Sequence, residues 1–547
     1  FVPADVFDDI PSTGGGAPFR LRRILAERAT RWRYPGQPDI SVRQIYELLP
    51  SATPEAEIAA EKRATYRNPE LWAVFQYART AGKRLIAVSD MYLPAATIAD
   101  LLANAGFSGL EEIFVSNEIG HTKHSGALFL WISEKMGVPG ESFLHIGDNE
   151  QADYRQAIAS GWRAYHVPSP TARFLHRNPI HPKVLAALLR RKTTSHSLLL
   201  GLMRDHLAKS PDDYWYVLGF ATVGPIANAF VQWVAARAHS LDVECLHFLA
   251  RDGCLPEMIF RLRYPDRASR YTLASRRLFL VPALAERLDN HTLQALCSGL
   301  PGTPAQDYWY RLGLDDMEIK SALDAHFPDG SRIWTLADRA KLELFFRQIY
   351  PLLREHAKRE RNALERYLAF TGLLGSQKRS MIVDIGWRAS SQRCLEGAFP
   401  ELLGTAGSYF GLEADAYSNG LMNGYLFDRG RPRSSRNVAM HCVELVELMF
   451  SAPEPSIRHL AGGSDPTGAI REPTGPEEEF RSGVVASIHR GAMDFTEKLL
   501  ALEESGYQLD LNRSDVLLFL KSILFHPRLA DCQMLGAIPH ALGLGAD

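Results

Sequence analysis

Four polar side chains in the first third of the sequence have the types and spacing needed to handle a phosphoryl group. They are Ser89, Lys123, Asp148 and Asp153. A serine hydroxyl and a lysine ammonium donate hydrogen bonds to phosphoryl oxygens, and two carboxylates five residues apart are ligands that Mg²⁺ prefers. The set predicts a site for a small phosphorylated molecule, with Ser89 and Lys123 on the phosphoryl oxygens and the two aspartates on Mg²⁺.

The elements that would position these side chains alternate between strands and helices. Apolar runs at 85–88, 113–115, 143–146 and 162–167 predict strands, and the segments between them have helical periodicity. Such alternation predicts a parallel sheet with helices on both faces. Because ligands bind beyond the carboxyl ends of parallel strands, we expect the four polar side chains to meet at one edge of this sheet.

The order of these residues resembles the motifs of the haloacid dehalogenase (HAD) superfamily. Its second motif is a Ser or Thr at a strand end, its third is a Lys, and its fourth is an acidic loop GDxxxxD. Ser89, Lys123 and the segment 147–153 match these three motifs in order and spacing. The phrases SDMYLP, GHTKHSG and HIGDN are closer still to a bacterial group of HAD hydrolases linked with surface-polysaccharide synthesis. The resemblance implies a Mg²⁺-dependent phosphohydrolase or phosphotransferase acting on a small phosphorylated substrate such as a sugar phosphate.

The attacking residue of HAD enzymes is an aspartate on the first strand, and two placements for it stay open. The phrase DVFDDI at 5–10 is similar to the nucleophile motif, which would make Asp5 the nucleophile. Pro3, however, cannot donate to a central ladder, and little chain precedes it to form a strand. We prefer the alternative that this phrase begins the helical cap, with the helical pattern at 19–27 continuing it. The nucleophile and its strand would then lie upstream of Phe1.

A second set of apolar runs, at 245–250, 271–274, 381–385 and 408–412, predicts a second parallel sheet. The residues at its strand ends form a candidate anion site: Arg251, Asp252, Arg276, Asp384, Ser390 and Ser391. Gly386 and the two serines at a helix start could present N–H groups to an anion, with the arginines adding charge. The alternative is that the aspartates only pair with the arginines and fix the loops. The phrases RDG, SRR and DIGW resemble the same bacterial group, with Ala389 where glycine is usual.

The predicted architecture is therefore an α/β protein with two Rossmann-like parts. A HAD-type parallel sheet with an N-terminal helical cap precedes a second α/β domain with long helical insertions. The expected boundaries are a cap at 1–80, a HAD core at 81–175, a helical linker at 176–240, a second domain at 241–460, and a Gly/Pro-rich excursion with C-terminal helices at 461–547. The helix predicted over 338–373 should be interrupted at Pro351.

Composition excludes several classes of protein. The 547 residues carry a net charge of -2, so no overall positive field exists to bind nucleic acid. The six cysteines include no CxxC pair, which argues against a disulfide framework or a zinc cluster and favours the cytoplasm. No signal peptide is visible at the N-terminus. The uncharged stretch 214–236 is long enough to span a membrane, but Pro225, Asn228 and Gln232 within it favour a buried helix.

Two other functions remain open at this stage. The first is a binding or regulatory protein whose HAD-like site senses a phosphorylated ligand without turnover. The second is transfer of a glycosyl or phosphoribosyl group by the second domain. The oligomeric state and the role of the C-terminal region have no signal in the sequence.

Overall fold

A computed structural model describes residues 6–7, 10, 19–169, 172–174, 180–191, 194–207, 213–299, 301–314, 316–327, 331–441, 443–461, 465 and 467–538. The chain forms two compact units, unit 1 (Phe1–Ser210) and unit 2 (Pro211–Asp547). Their boundary falls inside the segment predicted as a helical linker. The finer domain limits stay predictions. Both units mix helices with parallel strands, which confirms the α/β class.

Unit 1 begins as a helical module and continues as alternating strands and helices. Its helices are α1 (Phe19–Arg33), α2 (Val42–Tyr46), α3 (Pro54–Ala64), α4 (Pro69–Thr80), α5 (Ala95–Asn104), α6 (Ser116–Ile119), α7 (Ala127–Met136), α8 (Gln156–Ala159), α9 (Pro182–Arg191) and α10 (Thr194–Leu207). Asn68 caps α4 and Pro69 occupies its first turn, as the sequence predicts. A wide π turn, Glu150–Arg155, leads directly into α8.

The four strands predicted in the first half all form, each within one residue of its expected ends. They are β1 (Ile86–Ser89), β2 (Glu112–Val115), β3 (Leu144–Gly147) and β4 (Arg163–His166). β1 pairs with β2 and β3 with β4, both in parallel. Among the described residues no strand joins the two pairs, so the single sheet expected here is two separate ladders. Every residue of β1 is only half-buried, unlike a strand inside a sheet.

Unit 2 is organised around one five-stranded, fully parallel sheet. Its strands are β5 (Cys245–Leu249), β6 (Ala268–Thr272), β9 (Ser380–Asp384), β10 (Ala406–Gly411) and β11 (Met422–Phe427). The spatial order is β11-β10-β9-β5-β6. The chain therefore moves from β5 to β6 on one side and returns to build β9, β10 and β11 on the other. The direction of winding reverses between β5 and β9. No strand was predicted at β11, because Asn423 and Gly424 interrupt its apolar residues.

The rest of unit 2 comprises helices and short hairpins around this sheet. The helices are α11 (Tyr214–Leu218), α12 (Gly224–Ser240), α13 (Cys254–Arg263), α14 (Arg276–Ala283), α15 (Asn290–Leu296), α16 (Asp307–Tyr310), α17 (Asp316–His326), α18 (Leu336–Thr371), α19 (Ser390–Ala398), α20 (Arg433–Met440), α21 (Val443–Phe450), α22 (Pro476–Glu504), α23 (Arg513–Leu524) and α24 (Leu529–Leu535). The hairpins pair β7 (Thr303–Pro304) with β8 (Arg332–Ile333), and β12 (Ile457–Leu460) with β13 (Ala469–Arg471).

The interruption predicted at Pro351 is wrong, because α18 runs through this residue without a break. Proline removes one helical hydrogen bond, which usually kinks or ends a helix. Here buried side chains lie on both sides of it, among them Phe346, Ile349 and Leu353. Packing of this face offsets the local cost.

The apolar stretch near residue 214 forms one continuous helix, Tyr214–Ser240, in which a π turn joins α11 to α12. Its length and composition would suffice to cross a membrane, but 78% of its most apolar window is buried inside the protein. Helix α22 lies against it at very short range. A Cβ added at Gly219 would collide with the carbonyl oxygen of Ile488, and one at Gly491 with that of Tyr216. This burial favours the core helix expected from the sequence.

Candidate functional site

The loop that carries Lys123 is fastened to the end of β1 by Asp90. The two carboxylate oxygens of Asp90 accept the main-chain N–H groups of Lys123, at 2.7 Å, and of His124, at 3.1 Å. Two strand ends that are far apart in sequence are thereby held together. Asp90 immediately follows Ser89, so this contact also places Lys123 beside the carboxyl end of β1.

Residues after β2 fix the course of the chain that follows Asp90. The hydroxyl of Ser116 accepts the N–H of Met91 and donates to Asp39, which in turn pairs with Arg31 at 2.8 Å. The amide of Asn117 donates to the carbonyl oxygen of Met91. Because these polar groups are buried or partly buried, each lost bond would leave an unsatisfied partner. The helical module and the strand ends of unit 1 are thus linked by one hydrogen-bonded chain.

Lys123 and Asp153 are in direct contact. Nζ of Lys123 lies 2.6 Å from Oδ1 of Asp153, and both side chains are largely buried. Nε2 of His145 lies 3.2 Å from the same oxygen, while Oδ2 accepts the N–H of Asn149 at 3.0 Å. Gly147 is required here, since a Cβ at that position would collide with the Asp153 carboxylate. Both oxygens of Asp153 therefore already have partners.

These contacts keep Asp153 ionised. Burial by itself would raise the pKa of this carboxyl group, but hydrogen bonds from His145 and Lys123, the charge of Lys123 and the N–H of Asn149 together hold it well below its usual range. A carboxylate that is negative at every pH near neutrality fixes a cationic Lys123 in place. The pair supplies a positioned ammonium at the carboxyl end of the strands.

Ser89 and Asp148 occupy strand ends but join no such network. Ser89 is the last residue of β1 and is half-buried, and its hydroxyl has no hydrogen-bond partner in the part of the chain that the structure describes. Asp148 follows β3 with an exposed side chain, and its carbonyl oxygen lies 3.0 Å from Nε2 of His166. Of the four predicted residues, the structure thus brings Lys123 and Asp153 into contact and leaves Ser89 and Asp148 without polar side-chain partners among the residues it describes.

The described residues do not by themselves fit the predicted Mg²⁺ site. Within the described ranges, no group of three His, Cys, Asp or Glu side chains is placed to hold a metal ion. Asp153 uses its oxygens on Lys123, His145 and Asn149, and the other predicted ligand, Asp148, has an exposed side chain. A magnesium site needs several oxygen ligands in near-octahedral geometry. Further oxygen ligands would come from water, from the phosphorylated substrate or from chain outside the described residues, where Asp5 also lies.

The predicted site residues of unit 2 follow strands on either side of the point where the direction of winding reverses, between β5 and β9. Asp384 ends β9 and Asp252 follows β5. The charge of Asp384 raises the pKa of Asp252, whereas the charge of Arg276 lowers the pKa of both aspartates. Among the described residues neither aspartate forms a close ion pair with Arg251 or Arg276, although the charges of both arginines lower the pKa of Asp252. Arg251 instead pairs with Glu478 at 3.4 Å.

Ser390 and Ser391 begin α19 at this same edge of the sheet. The residue before them, Ala389, has a φ of 53°, in the left-handed region, and offers the helix no side-chain cap. Neither serine hydroxyl has a hydrogen-bond partner among the residues described. The first turn of α19 is therefore open to an outside acceptor.

Sequence reasoning missed Asp90, His145 and Glu447 as members of these sites. Asp90 and His145 lie inside phrases that carried the resemblance, so their proximity to the motif residues was a usable signal. Glu447 lies on α21, far along the chain, and receives the indole N–H of Trp387 at 3.0 Å. No local pattern marks it, because the contact depends on how α21 packs against the loop after β9.

Two comparisons of this sequence with known proteins found no match. A scan of family models finds none that matches this chain, and no curated protein matches it either.

Proposed function

We propose that unit 1 binds the phosphoryl group of a small phosphorylated molecule and that the protein hydrolyses or transfers this group, as an HAD-like phosphohydrolase or phosphotransferase. The observation that best supports this is the ammonium of Lys123, held 2.6 Å from Asp153. The main chain of Lys123 donates to Asp90, the residue after Ser89 at the end of β1. An ammonium has three N–H donors, and the bond to Asp153 uses one of them. The others are available for phosphoryl oxygens, where a charge-assisted bond is strong.

Ser89 would provide a neutral donor to the same group. Its hydroxyl is half-buried, and no described residue accepts its proton, so a ligand oxygen would satisfy it at little cost. Asp90 precedes no helix that it could cap and instead holds the Lys123 loop by two main-chain bonds. On this proposal Asp90 and Asp153 are positioning residues, whereas Ser89 and Lys123 contact the substrate.

The attacking carboxylate is proposed to come from the N-terminal side of Val6, either from Asp5 or from a residue before Phe1. Val6 and Phe7 share one apolar cluster with Tyr92 and Leu93, which follow β1 at its carboxyl end. A carboxylate oxygen would form a bond to phosphorus as the ester P–O bond breaks and the leaving oxygen takes a proton from water. Attack of a second water on this acyl phosphate would release phosphate and restore the carboxylate.

Dependence on Mg²⁺, a role in surface-polysaccharide synthesis and a cytoplasmic location stay predictions that rest on the resemblance. Asp148 could contribute a carboxylate oxygen to such a metal, since it follows β3 directly and its side chain is exposed. The second candidate function is binding of a phosphorylated ligand without turnover. It is favoured by one observation, that the described carboxylates nearest Lys123, those of Asp90 and Asp153, are both taken up by hydrogen bonds.

Release of phosphate from p-nitrophenyl phosphate tests the proposal. The protein, expressed from its full reading frame, is compared with Lys123→Ala, Asp148→Asn and Lys135→Ala, with and without Mg²⁺. Lys135 is a matched control, because it is an exposed lysine of the same unit bonded to Glu112. We expect Lys123→Ala to lower turnover by about a hundredfold or more and Lys135→Ala to leave it unchanged. Turnover that survives Lys123→Ala contradicts the proposal, and phosphate binding without turnover supports the second candidate.

A further inference from the structure

The direction of winding in the unit 2 sheet reverses between β5 and β9, and a reversal of this kind forms a crevice at the carboxyl ends of the two strands. In open parallel sheets ligands bind at this topological switch point, because the loops on its two sides leave in opposite directions. Asp252 follows β5 on one side of the crevice, and Asp384 ends β9 on the other. The fold therefore places two carboxylates where a ligand would enter.

Acidic and basic side chains both lie around this crevice, and two of them, Asp252 and Arg276, lack partners among the described residues. Asp252 is half-buried, yet its carboxylate has no hydrogen bond or ion pair with any described residue. Arg276, the first residue of α14, is exposed, and its guanidinium likewise has no such partner in the described ranges. Helices α14 and α19 pack against each other, so the open first turn of α19 lies at the same edge as Arg276. Cationic and helix N-terminal donors thus stand beside carboxylate acceptors.

A buried acceptor at this edge also lacks a donor. Glu413 follows β10, the next strand after β9, and is only 6% exposed. Its main-chain N–H donates to the carbonyl oxygen of Trp387, in the loop between Asp384 and α19. Arg436 donates to one carboxylate oxygen at 2.8 Å, whereas the other oxygen, Oε1, is buried and has no partner among the described residues. Such an orphaned acceptor is rare in native structures unless a ligand or water supplies the donor.

The surroundings of Asp252 and Asp384 disfavour the ionised form of both carboxyl groups. Burial, together with the charges of Glu447 and Asp384, raises the pKa of Asp252 above its usual range. Burial also raises the pKa of Asp384 to about 6, although the N–H groups of Gly386 and Ile385 donate to it. A ligand that brings hydroxyl donors to these carboxylates would lower that cost.

We propose that this crevice is a second ligand site, which binds a sugar phosphate or the sugar-phosphate part of a nucleotide sugar. The phosphate would contact Arg276 and the first turn of α19 with Ser390 and Ser391, as anions do at helix N-termini. The sugar hydroxyls would donate to Asp252 and Asp384. Inorganic phosphate, which has no sugar, would form only the contacts with Arg276 and the first turn of α19. This site is independent of the phosphoryl site proposed for unit 1.

Isothermal titration calorimetry with glucose 1-phosphate and with inorganic phosphate tests the proposal. All titrations use full-length protein carrying Lys123→Ala, so that binding at unit 1 is removed and failure of one proposal does not imply failure of the other. We expect glucose 1-phosphate to bind at least about tenfold more tightly than phosphate. Arg276→Ala should weaken both ligands, whereas Asp252→Asn should weaken only the sugar phosphate and abolish the preference.

The matched control is Arg379→Ala, which removes an exposed arginine just before β9, at the opposite edge of the sheet. It should leave both affinities unchanged. Because Arg276 and Asp252 have no described hydrogen bonds, their variants should fold, which thermal unfolding verifies. The proposal is overturned if neither ligand binds, if phosphate binds as tightly as glucose 1-phosphate, or if Arg276→Ala and Arg379→Ala act alike.

Discussion

Asp153 determines where the ammonium of Lys123 lies, and its removal should be costly. Asp153→Asn would leave Lys123, whose side chain is 13% exposed, without its anionic partner. Breaking a buried ion pair in this way costs about 3 kcal/mol. We expect this loss in the free energy of unfolding of unit 1 at pH 7, measured by urea denaturation.

The pH dependence of this effect follows from the depressed pKa of Asp153. Its stabilising contribution is complete above the ordinary pKa of an aspartate and is lost as the pH falls toward the lower folded-state value. The difference between wild type and Asp153→Asn should therefore shrink below about pH 4. Glu150→Gln, in the same turn but fully exposed and paired with Arg155, is the control and should change little. If Asp153→Asn and Glu150→Gln lowered the free energy of unfolding equally, the Lys123–Asp153 pair would contribute no more than an exposed ion pair.

Glu61 in the helical module should have the opposite dependence. Burial and the charge of Glu57 raise the pKa of Glu61 to about 7, against the lowering effect of Arg23. The folded state then binds a proton that the unfolded state has lost, so stability falls as the pH rises from about 4.5 to 7. We expect Glu61→Gln to be about 1–2 kcal/mol more stable than wild type at pH 8 and no more stable at pH 4. Denaturation curves that differ equally at both pH values would contradict this assignment.

At the level of elements, the crossing of α22 with the helix Tyr214–Ser240 depends on two glycines. An added methyl group at Gly491 would meet the main chain at Tyr216 and Phe220, which cannot move as a flexible side chain can. We expect Gly491→Ala to destabilise unit 2 by about 2–3 kcal/mol, as over-packing does elsewhere. At Gly483, on the same helix, an added Cβ would have no atom within 4 Å. Gly483→Ala should therefore raise the free energy of unfolding by about 1 kcal/mol, because alanine has the higher helix propensity. Thermal unfolding distinguishes the two, and a stabilising Gly491→Ala would contradict the contact.

The sequence predicted most strands well, because short continuous apolar runs such as 245–250, bounded by turn residues, are typical of strands buried in a parallel sheet. It failed where tertiary packing outweighs a local signal. Pro351 should have broken α18, but the apolar face on both sides of it is buried. Strand β11 was not predicted because Asn423 and Gly424 interrupt its apolar residues. It forms nevertheless, since its main chain pairs with that of β10.

The sequence predicted which residues form the candidate site of unit 1, but not which of them contact one another. The order of the motifs indicated Ser89, Lys123, Asp148 and Asp153. The sequence around Asp153 does not show, however, that this carboxylate binds Lys123 and not a metal ion. Such a pairing depends on the distance between the loop after β2 and the turn after β3. Only the folded chain fixes that distance.

On the scale of the whole molecule, composition established the broad class and could not establish the arrangement. The near-neutral charge and the alternation of strands and helices indicated an α/β protein with more than one core, and the structure has two compact units. The switch point between β5 and β9 could not be predicted, because more than a hundred residues, including β6 and long helical insertions, separate these strands in the sequence. Strand order depends on which edges pair, and apolar runs alone do not encode it.

The most direct test of the account is a crystal structure of the protein grown with tungstate, a phosphate analogue that anomalous scattering locates without ambiguity. The account predicts a tungstate ion in unit 1 with oxygens about 3 Å from both Nζ of Lys123 and Oγ of Ser89. A structure in which these two side chains point into separate places, with no anion between them, would contradict it.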